Sequence, residues 1–271
     1  MVSAPVFLAD PGRLTEHDAG SVYVLEGAEA RHAGVVQRRR AGERIDLVDG
    51  VGVRLECVIA TVEPGRLTLD VVGRRAEPAA HVRLVLAQAL AKGDRDELAI
   101  EAATEVGVDE VVPWQATRSV VVWRGERAAK SRARWLATVR EATKQSRRSW
   151  LPTVAEAVDT TRLVARVRDV VGGGGTAVVL HGTGEERLAD VPLPAVTGDG
   201  ASGDGVSVDG VAAVPQVLVV VGPEGGISAE ELAALRAAGA RVARLGPTVL
   251  RTSTAGPVAL ALLAERLGRW A

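Results

Sequence analysis

The sequence predicts an all-β N-terminal part followed by an α/β part, on three observations. Short alternating or apolar runs separated by turn residues fill residues 1 to about 74. From His81 onward, apolar strand-like runs alternate with segments of helical spacing. The apolar run 217–221 then stops at Gly222-Pro223-Glu224-Gly225-Gly226, and Ser228 with Glu231 three residues on makes a capping box. A buried strand ending in a glycine-rich loop that opens a helix is where open α/β folds bind ligands.

In the N-terminal part, strands are expected at 21–25, 44–48, 51–60 and 67–72, with turns at Asp49-Gly50, Gly52 and Pro64-Gly65. Strands this short and this closely spaced suggest a small barrel. A short helix and its exit are expected over 29–40, containing Arg31, His32 and the triplet Arg38-Arg39-Arg40. Three consecutive arginines cannot share one face, so two of them are expected to reach a phosphate. His32 reads equally well as a packing residue at the helix start. Residues 73–80 form the linker, which divides the chain into domains 1–74 and 75–271.

In the second domain a Val- and Leu-rich strand occupies 81–90. Asp94 is placed to cap the next helix, with Glu97 three residues on, and Gly107 ends it. A strand follows at 108–113, then a long amphipathic helix at 126–148 with Leu136, Val139 and Ala142 on its apolar face. A further helical segment lies within 151–171, and a buried strand spans 176–181. The Gly-, Asp- and Ser-rich stretch 198–210 reads as a flexible loop and an insertion without catalytic role. The chain closes with an apolar helix over 255–270, in which Pro257 is expected to sit in the first turn.

Composition narrows the function classes. Hydrophobic residues make up 47% and aromatics only 3%, so Leu, Val and Ala must fill the core. The single cysteine, Cys57, excludes an internal disulfide, and its place in an alternating run makes it a packed thiol rather than a nucleophile. No Cys/His cluster has metal-ligand spacing, so no metal is expected. The N-terminal MVSAPVFLADPGR lacks the features of a signal peptide, and no apolar run approaches a membrane span, which points to the cytoplasm. The net charge of −1 hides an uneven distribution. Between Arg118 and Trp150 ten basic residues, among them Arg118, Lys144, Arg147 and Arg148, face only Glu126 and Glu141. That suits a phosphate backbone, or simply a solvated helix face.

The two loops GPEGGIS (222–228) and LGPTVLRTSTA (245–255) resemble, in this order and spacing, the RsmE family within the SPOUT class of methyltransferases. That family methylates N3 of a uridine in bacterial 16S ribosomal RNA. The likeness extends to Lys92-Gly93-Asp94-Arg95, to 103–108, and to 141–148 with Pro152. One departure is Ser253, where the family usually has Glu.

The resemblance implies a PUA-like β-barrel that holds RNA over 1–74 and a SPOUT α/β domain with a trefoil knot over 75–271. It also implies a homodimer with the final helix in the interface. S-adenosylmethionine is the implied cofactor, held by Leu180, His181, Gly182, Val221, Gly222, Pro223, Glu224, Gly225, Gly226, Leu245, Gly246, Leu250, Thr252 and Ala255. Glycines suit such a pocket because they let the backbone approach an adenine edge. GPEGG taken alone could also be a phosphate loop or a plain turn, although no Walker or dinucleotide motif surrounds it. Arg251 and Glu224 are the implied catalytic residues. Arg251 either stabilises the uracil anion or holds backbone carbonyls; Glu224 either takes a proton or anchors the loop and cofactor. The RNA of the small subunit would meet Arg31, His32, Arg38, Arg39, Arg40, Lys92, Arg95, Arg118, Lys144, Arg147 and Arg148. A noncatalytic RNA-binding role in ribosome assembly, or methylation of another RNA, remains open at this point.

Overall fold

The computed structural model describes residues 4–195 and 214–270, so the stretch 198–210 lies outside the described residues. The chain forms two compact units, Met1–Ala79 with Arg140–Leu151, and Ala80–Val139 with Pro152–Ala271.

The first unit is built on a five-stranded sheet of order β1-β3-β4-β5-β2. Its strands are β1 (Val6–Leu8), β2 (Val22–Glu26), β3 (Arg44–Val48), β4 (Val53–Glu63) and β5 (Arg66–Ala76). Burial alternates strictly along the first part of β4, as period-two side-chain geometry requires when one face is covered. The covered face joins Ile45, Leu47, Leu55, Cys57, Ile59, Leu67 and Leu69 to Phe7 and Leu14. Burial pushes the Cys57 thiol up to about 12, which makes it an inert core residue. β1 has only three residues and no alternation to betray it; pairing in parallel with β3 creates it. Helix α1 (Gly27–Arg31) runs on as a π-helical turn, His32–Val36.

The segment 140–151 is tied into this unit by specific contacts. Ser149 Oγ donates to Glu77 Oε1 at 2.6 Å, and Arg54 Nη2 donates to the Arg147 carbonyl at 2.6 Å. The Trp150 ring lies where a Cβ on Gly52 would come within 2.7 Å of it, so only glycine, at φ +105°, fits there.

The second unit carries an eight-stranded sheet of order β11-β13-β10-β12-β6-β7-β8, with β9 also on β7; every pair is parallel. In chain order its elements are β6 (Arg83–Ala89), α2 (Arg95–Glu105), β7 (Glu110–Gln115), α3 (Gly125–Gln145), β8 (Thr153–Val154), β9 (Val158–Asp159) and α4 (Thr160–Gly172). Then follow β10 (Thr176–Leu180), β11 (Glu186–Arg187), β12 (Gln216–Val221), α5 (Ala229–Ala237), β13 (Arg241–Arg244) and α6 (Thr252–Arg266). Parallel strands are covered on both faces, and so read as continuous apolar runs. One core joins Val112, Trp114, Leu218 and Val220 to Leu163 and Val167 of α4 and Leu235 of α5. Helices α2 and α6 pack on each other, and α6 also packs on β6 and β12.

Two expectations are corrected. Asp94 occupies the N-cap position of α2, but at φ +59° its side chain makes no cap bond. Glu97 instead pairs with Arg134. Helix α6 starts at Thr252, three residues early, so Pro257 lies in its second turn. There its ring removes a backbone donor that the first turn would not have needed.

Candidate active site

The chain order of the strands departs from their spatial order where β10 lies between β12 and β13. Three adjacent strands therefore deliver their following loops to one sheet edge, where ligands collect in open parallel sheets. A cavity of about 510 Å³ opens there, a size suited to a small cofactor. Its walls are Leu180, His181 and Gly182 after β10; Val221, Gly222, Pro223, Glu224, Gly226 and Ile227 after β12; and Arg244, Leu245, Gly246, Thr248, Val249, Leu250, Arg251, Thr252 and Ala255 after β13. Arg95 of α2 completes it.

Each loop has a local physical cause. Ser228 Oγ accepts from Glu231 N–H at 3.2 Å and Glu231 Oε2 accepts from Ser228 N–H at 3.1 Å, so both halves of the capping box are present. Gly226 turns the chain into this cap at φ +74°. Arg244 Nη1 holds the Gly184 and Glu185 carbonyls at 2.8 Å each, fastening the loop after β10. His181 Nδ1 lies 2.8 Å from Thr183 Oγ1.

Glu231 is only 4% exposed and does more than cap. Its Oε1 accepts from Thr117 N–H at 2.8 Å, Thr117 Oγ1 at 2.9 Å and Thr160 Oγ1 at 2.7 Å. Burial opposes its ionisation, but these donors and the Ser228 N–H outweigh burial and hold its carboxyl below the ordinary range.

Glu224 is held through one of its two oxygens. Its Oε1 accepts from Arg95 Nη1 at 2.9 Å and from Lys92 N–H at 3.4 Å. Burial pushes its pKa up; its own N–H, Arg95 and the Lys92 N–H together bring it below the usual value. A carboxylate so stabilised is a weak proton acceptor and a good anchor. Arg251 is exposed at the N-cap of α6, and its guanidinium has no hydrogen-bond or ion-pair partner among the described residues.

Of the fourteen residues expected to hold a cofactor, thirteen line the cavity. Gly225 does not; its carbonyl accepts from Arg118 Nη1 at 3.1 Å, and a Cβ there would meet Arg118 at 3.2 Å. Ile227, Arg244, Thr248 and Val249 line the cavity without having been singled out. They lie inside or directly beside the two glycine loops, which was the available signal. Among the residues expected to meet RNA, Arg95 is part of the cavity wall and Lys92 is exposed. Within the first unit, Arg31, Arg38, Arg40 and Arg147 are exposed. Arg39 is held by Glu43 at 3.3 Å and by Gln37 at 3.2 Å, so two of the three consecutive arginines stay open. His32 Nε2 lies 3.0 Å from Gln37 Nε2, and its ring is set edge-on to Phe7. Lys144 is 9% exposed between Glu29 at 3.2 Å and Glu141 at 2.7 Å, which makes it a structural tie. Arg148 is half-buried. Among the described residues no group of three or more His, Cys, Asp or Glu is placed to hold a metal ion, and no helix is long and apolar enough to cross a membrane.

Comparison with known proteins identifies the family of the chain. A family model described as an RNA methyltransferase domain matches residues 78–264. The ribosomal RNA small subunit methyltransferase E of Mycobacterium bovis is 43% identical over 253 residues, covering 93% of this chain and 90% of that protein. A methyltransferase of Legionella pneumophila, solved with its bound cofactor SAM, superposes with a TM-score of 0.79 at 26% identity, covering 98% of each chain. The ribosomal RNA small subunit methyltransferase E of Neisseria gonorrhoeae shares the fold, with a TM-score of 0.80 at 24% identity over 97% of this chain and 98% of its own. By its matching domain and its near-full-length relative, this chain belongs to the ribosomal RNA small subunit methyltransferase E family.

Proposed function

We propose that this chain transfers a methyl group from S-adenosylmethionine to N3 of a uridine in the 16S RNA of the small ribosomal subunit, in the cytoplasm and as a homodimer. The observation that carries this reading is the glycine-lined cavity at the ends of β10, β12 and β13, in a chain of this family. The residues fit the cofactor. Leu180, Val221, Ile227, Leu245 and Leu250 offer apolar walls for a flat base. The N–H groups of Gly246 and Leu250 have no protein acceptor among the described residues, and so are available to an adenine edge. A Cβ at Gly182 or Gly246 would meet nothing within 4 Å, so the backbone can be approached closely there.

When bound, S-adenosylmethionine supplies an electrophilic methyl carbon. Uracil N3 is hidden in a paired base, so the target uridine is unpaired or flipped out. The free guanidinium of Arg251 would stabilise the negative charge left on the uracil when N3 gives up its proton to solvent water. Glu224 keeps its charge and anchors Arg95 and the Lys92 backbone at the rim.

The first unit serves as a PUA-like RNA-holding domain through its exposed Arg31, Arg38, Arg40 and Arg147. In this reading the C-terminal segment forms a knot; the hydrogen bond from Thr252 Oγ1 to the Gly222 carbonyl holds the start of α6 beside the end of β12. Val258 and Leu262, one turn apart and exposed on α6, suit the dimer interface.

Titration calorimetry with S-adenosylmethionine tests the reading. Micromolar binding is expected in the wild type, weakened roughly 10-fold or more in Gly246→Val. The melting temperature should hold, since the added side chain enters open space. No binding by the folded wild type would favour a noncatalytic RNA-binding role. In Arg31→Glu with Arg40→Glu, affinity for small-subunit RNA should fall, and the slope of log K against log salt should flatten by about one per lost phosphate contact. An unchanged slope would place the RNA elsewhere.

A further inference from the structure

Gln88 is a fully buried amide near the end of β6, in register with Val221 of β12. Its neighbours along the strand, Leu86, Ala87, Ala89 and Leu90, are all apolar and buried. Its Nε2 donates to Thr252 Oγ1 at 2.9 Å and more weakly to its neighbour's carbonyl, Ala89 O, at 3.3 Å. Thr252 Oγ1 in turn donates its single proton to the Gly222 carbonyl at 2.8 Å. The directions are consistent: the hydroxyl accepts from the amide and donates to the carbonyl. The relay therefore runs from β6, through the first residue of α6, to the loop after β12. Gly222 and Thr252 both line the cavity, and Arg251 directly precedes Thr252.

Two further facts describe the setting of this amide. Its Oε1 is buried without a partner, a desolvation cost that an apolar side chain of similar size would avoid. The helix also passes unusually close at this point. A Cβ on Gly256 would meet the Leu86 methyls at 3.1 and 3.2 Å and Gln88 Oε1 at an ordinary 3.6 Å, so glycine lets α6 lie close against Leu86, two residues from the amide.

We propose that Gln88 is a positioning residue for methyl transfer. Through Thr252 it clamps the Arg251 loop to the Gly222 loop and so fixes where the Arg251 guanidinium stands relative to the bound cofactor. This rests on the functional reading above. A buried relay of this kind acts as a unit, so removing its first member, Gln88, or its middle one, Thr252, should loosen the same constraint.

The test compares wild type, Gln88→Leu, Thr252→Val and the double variant. Thermal unfolding, calorimetric S-adenosylmethionine affinity, and kcat and KM for methylation of small-subunit RNA are measured for each. Gln88→Leu should melt no lower than wild type, lose about 10-fold or more in kcat, and change cofactor affinity less than about 3-fold. Thr252→Val should lose kcat comparably, and the double variant should be no slower than the slower single variant. Should Gln88→Leu fail to fold, Gln88→Met, which keeps the length of the side chain without its amide, carries the same expectations. Unchanged kcat in either single variant, or losses that multiply in the double variant, would overturn the proposal. So would a fall in cofactor affinity and melting temperature that accounts for the whole loss of rate. A wild type that binds the cofactor yet methylates no RNA would instead overturn the functional reading, and the proposal with it.

Discussion

Arg251→Ala should reduce single-turnover methyl transfer by about 100-fold or more, the scale on which removal of one well-placed charge-stabilising donor acts. The melting temperature should be unchanged. The side chain is exposed, lies on the cavity wall and makes no hydrogen bond or ion pair with another described residue, so its removal breaks neither. A purely structural role, gripping the carbonyls of neighbouring loops, has no contact to support it. Raising the pH should partly rescue the variant, because a uracil that ionises in solution has less need of a cation to stabilise it. Normal turnover in Arg251→Ala would remove this residue from the chemistry.

Glu231→Ala should be the most destabilising single change near the site. It strands the Thr117 N–H and hydroxyl, the Thr160 hydroxyl and the Ser228 N–H, and it removes half of the capping box. Losing hydrogen bonds to a buried charge costs about 3 kcal/mol, equivalent to a fall of roughly 10 °C in melting temperature for a chain of this size. Because Thr117 is next to Arg118, which holds the Gly225 carbonyl, cofactor affinity should fall as well. The pH dependence has a definite sign. The Glu231 carboxyl is depressed on folding, so its contribution is complete above the ordinary glutamate value of about 4.3. It is lost as pH falls through the lower folded value. Wild type should therefore lose stability in that acid window more steeply than Glu231→Gln; parallel acid melts would refute the assignment.

These predictions draw on both levels of information, and the division has a physical basis. The capping box at Ser228 was legible because both of its halves lie within one turn of helix. Asp94 carried the same local signal and misled, because a left-handed backbone turns its side chain away from the helix it precedes. Strand β1 was invisible because three residues carry no periodicity, and its partner strand begins 38 residues later. Lys144 looked like part of a basic surface, yet one of its two carboxylate partners, Glu29, is 115 positions away.

The sequence by itself determined the order of the longer strands and helices and the two glycine loops, and the family resemblance of those loops pointed to thirteen of the residues that line the cavity. The elements and loops were legible because backbone preferences and apolar periodicity act over a few residues. Only the tertiary structure decided that β10 lies between β12 and β13, and hence that three loops share one cavity. It also decided that Glu224 is paired with Arg95, that Glu231 binds three segments together, and that Gln88 reaches Thr252 across 164 residues of chain. Such contacts are set by which strands become neighbours in the sheet, and strand order is a property of the whole packed core rather than of any local stretch.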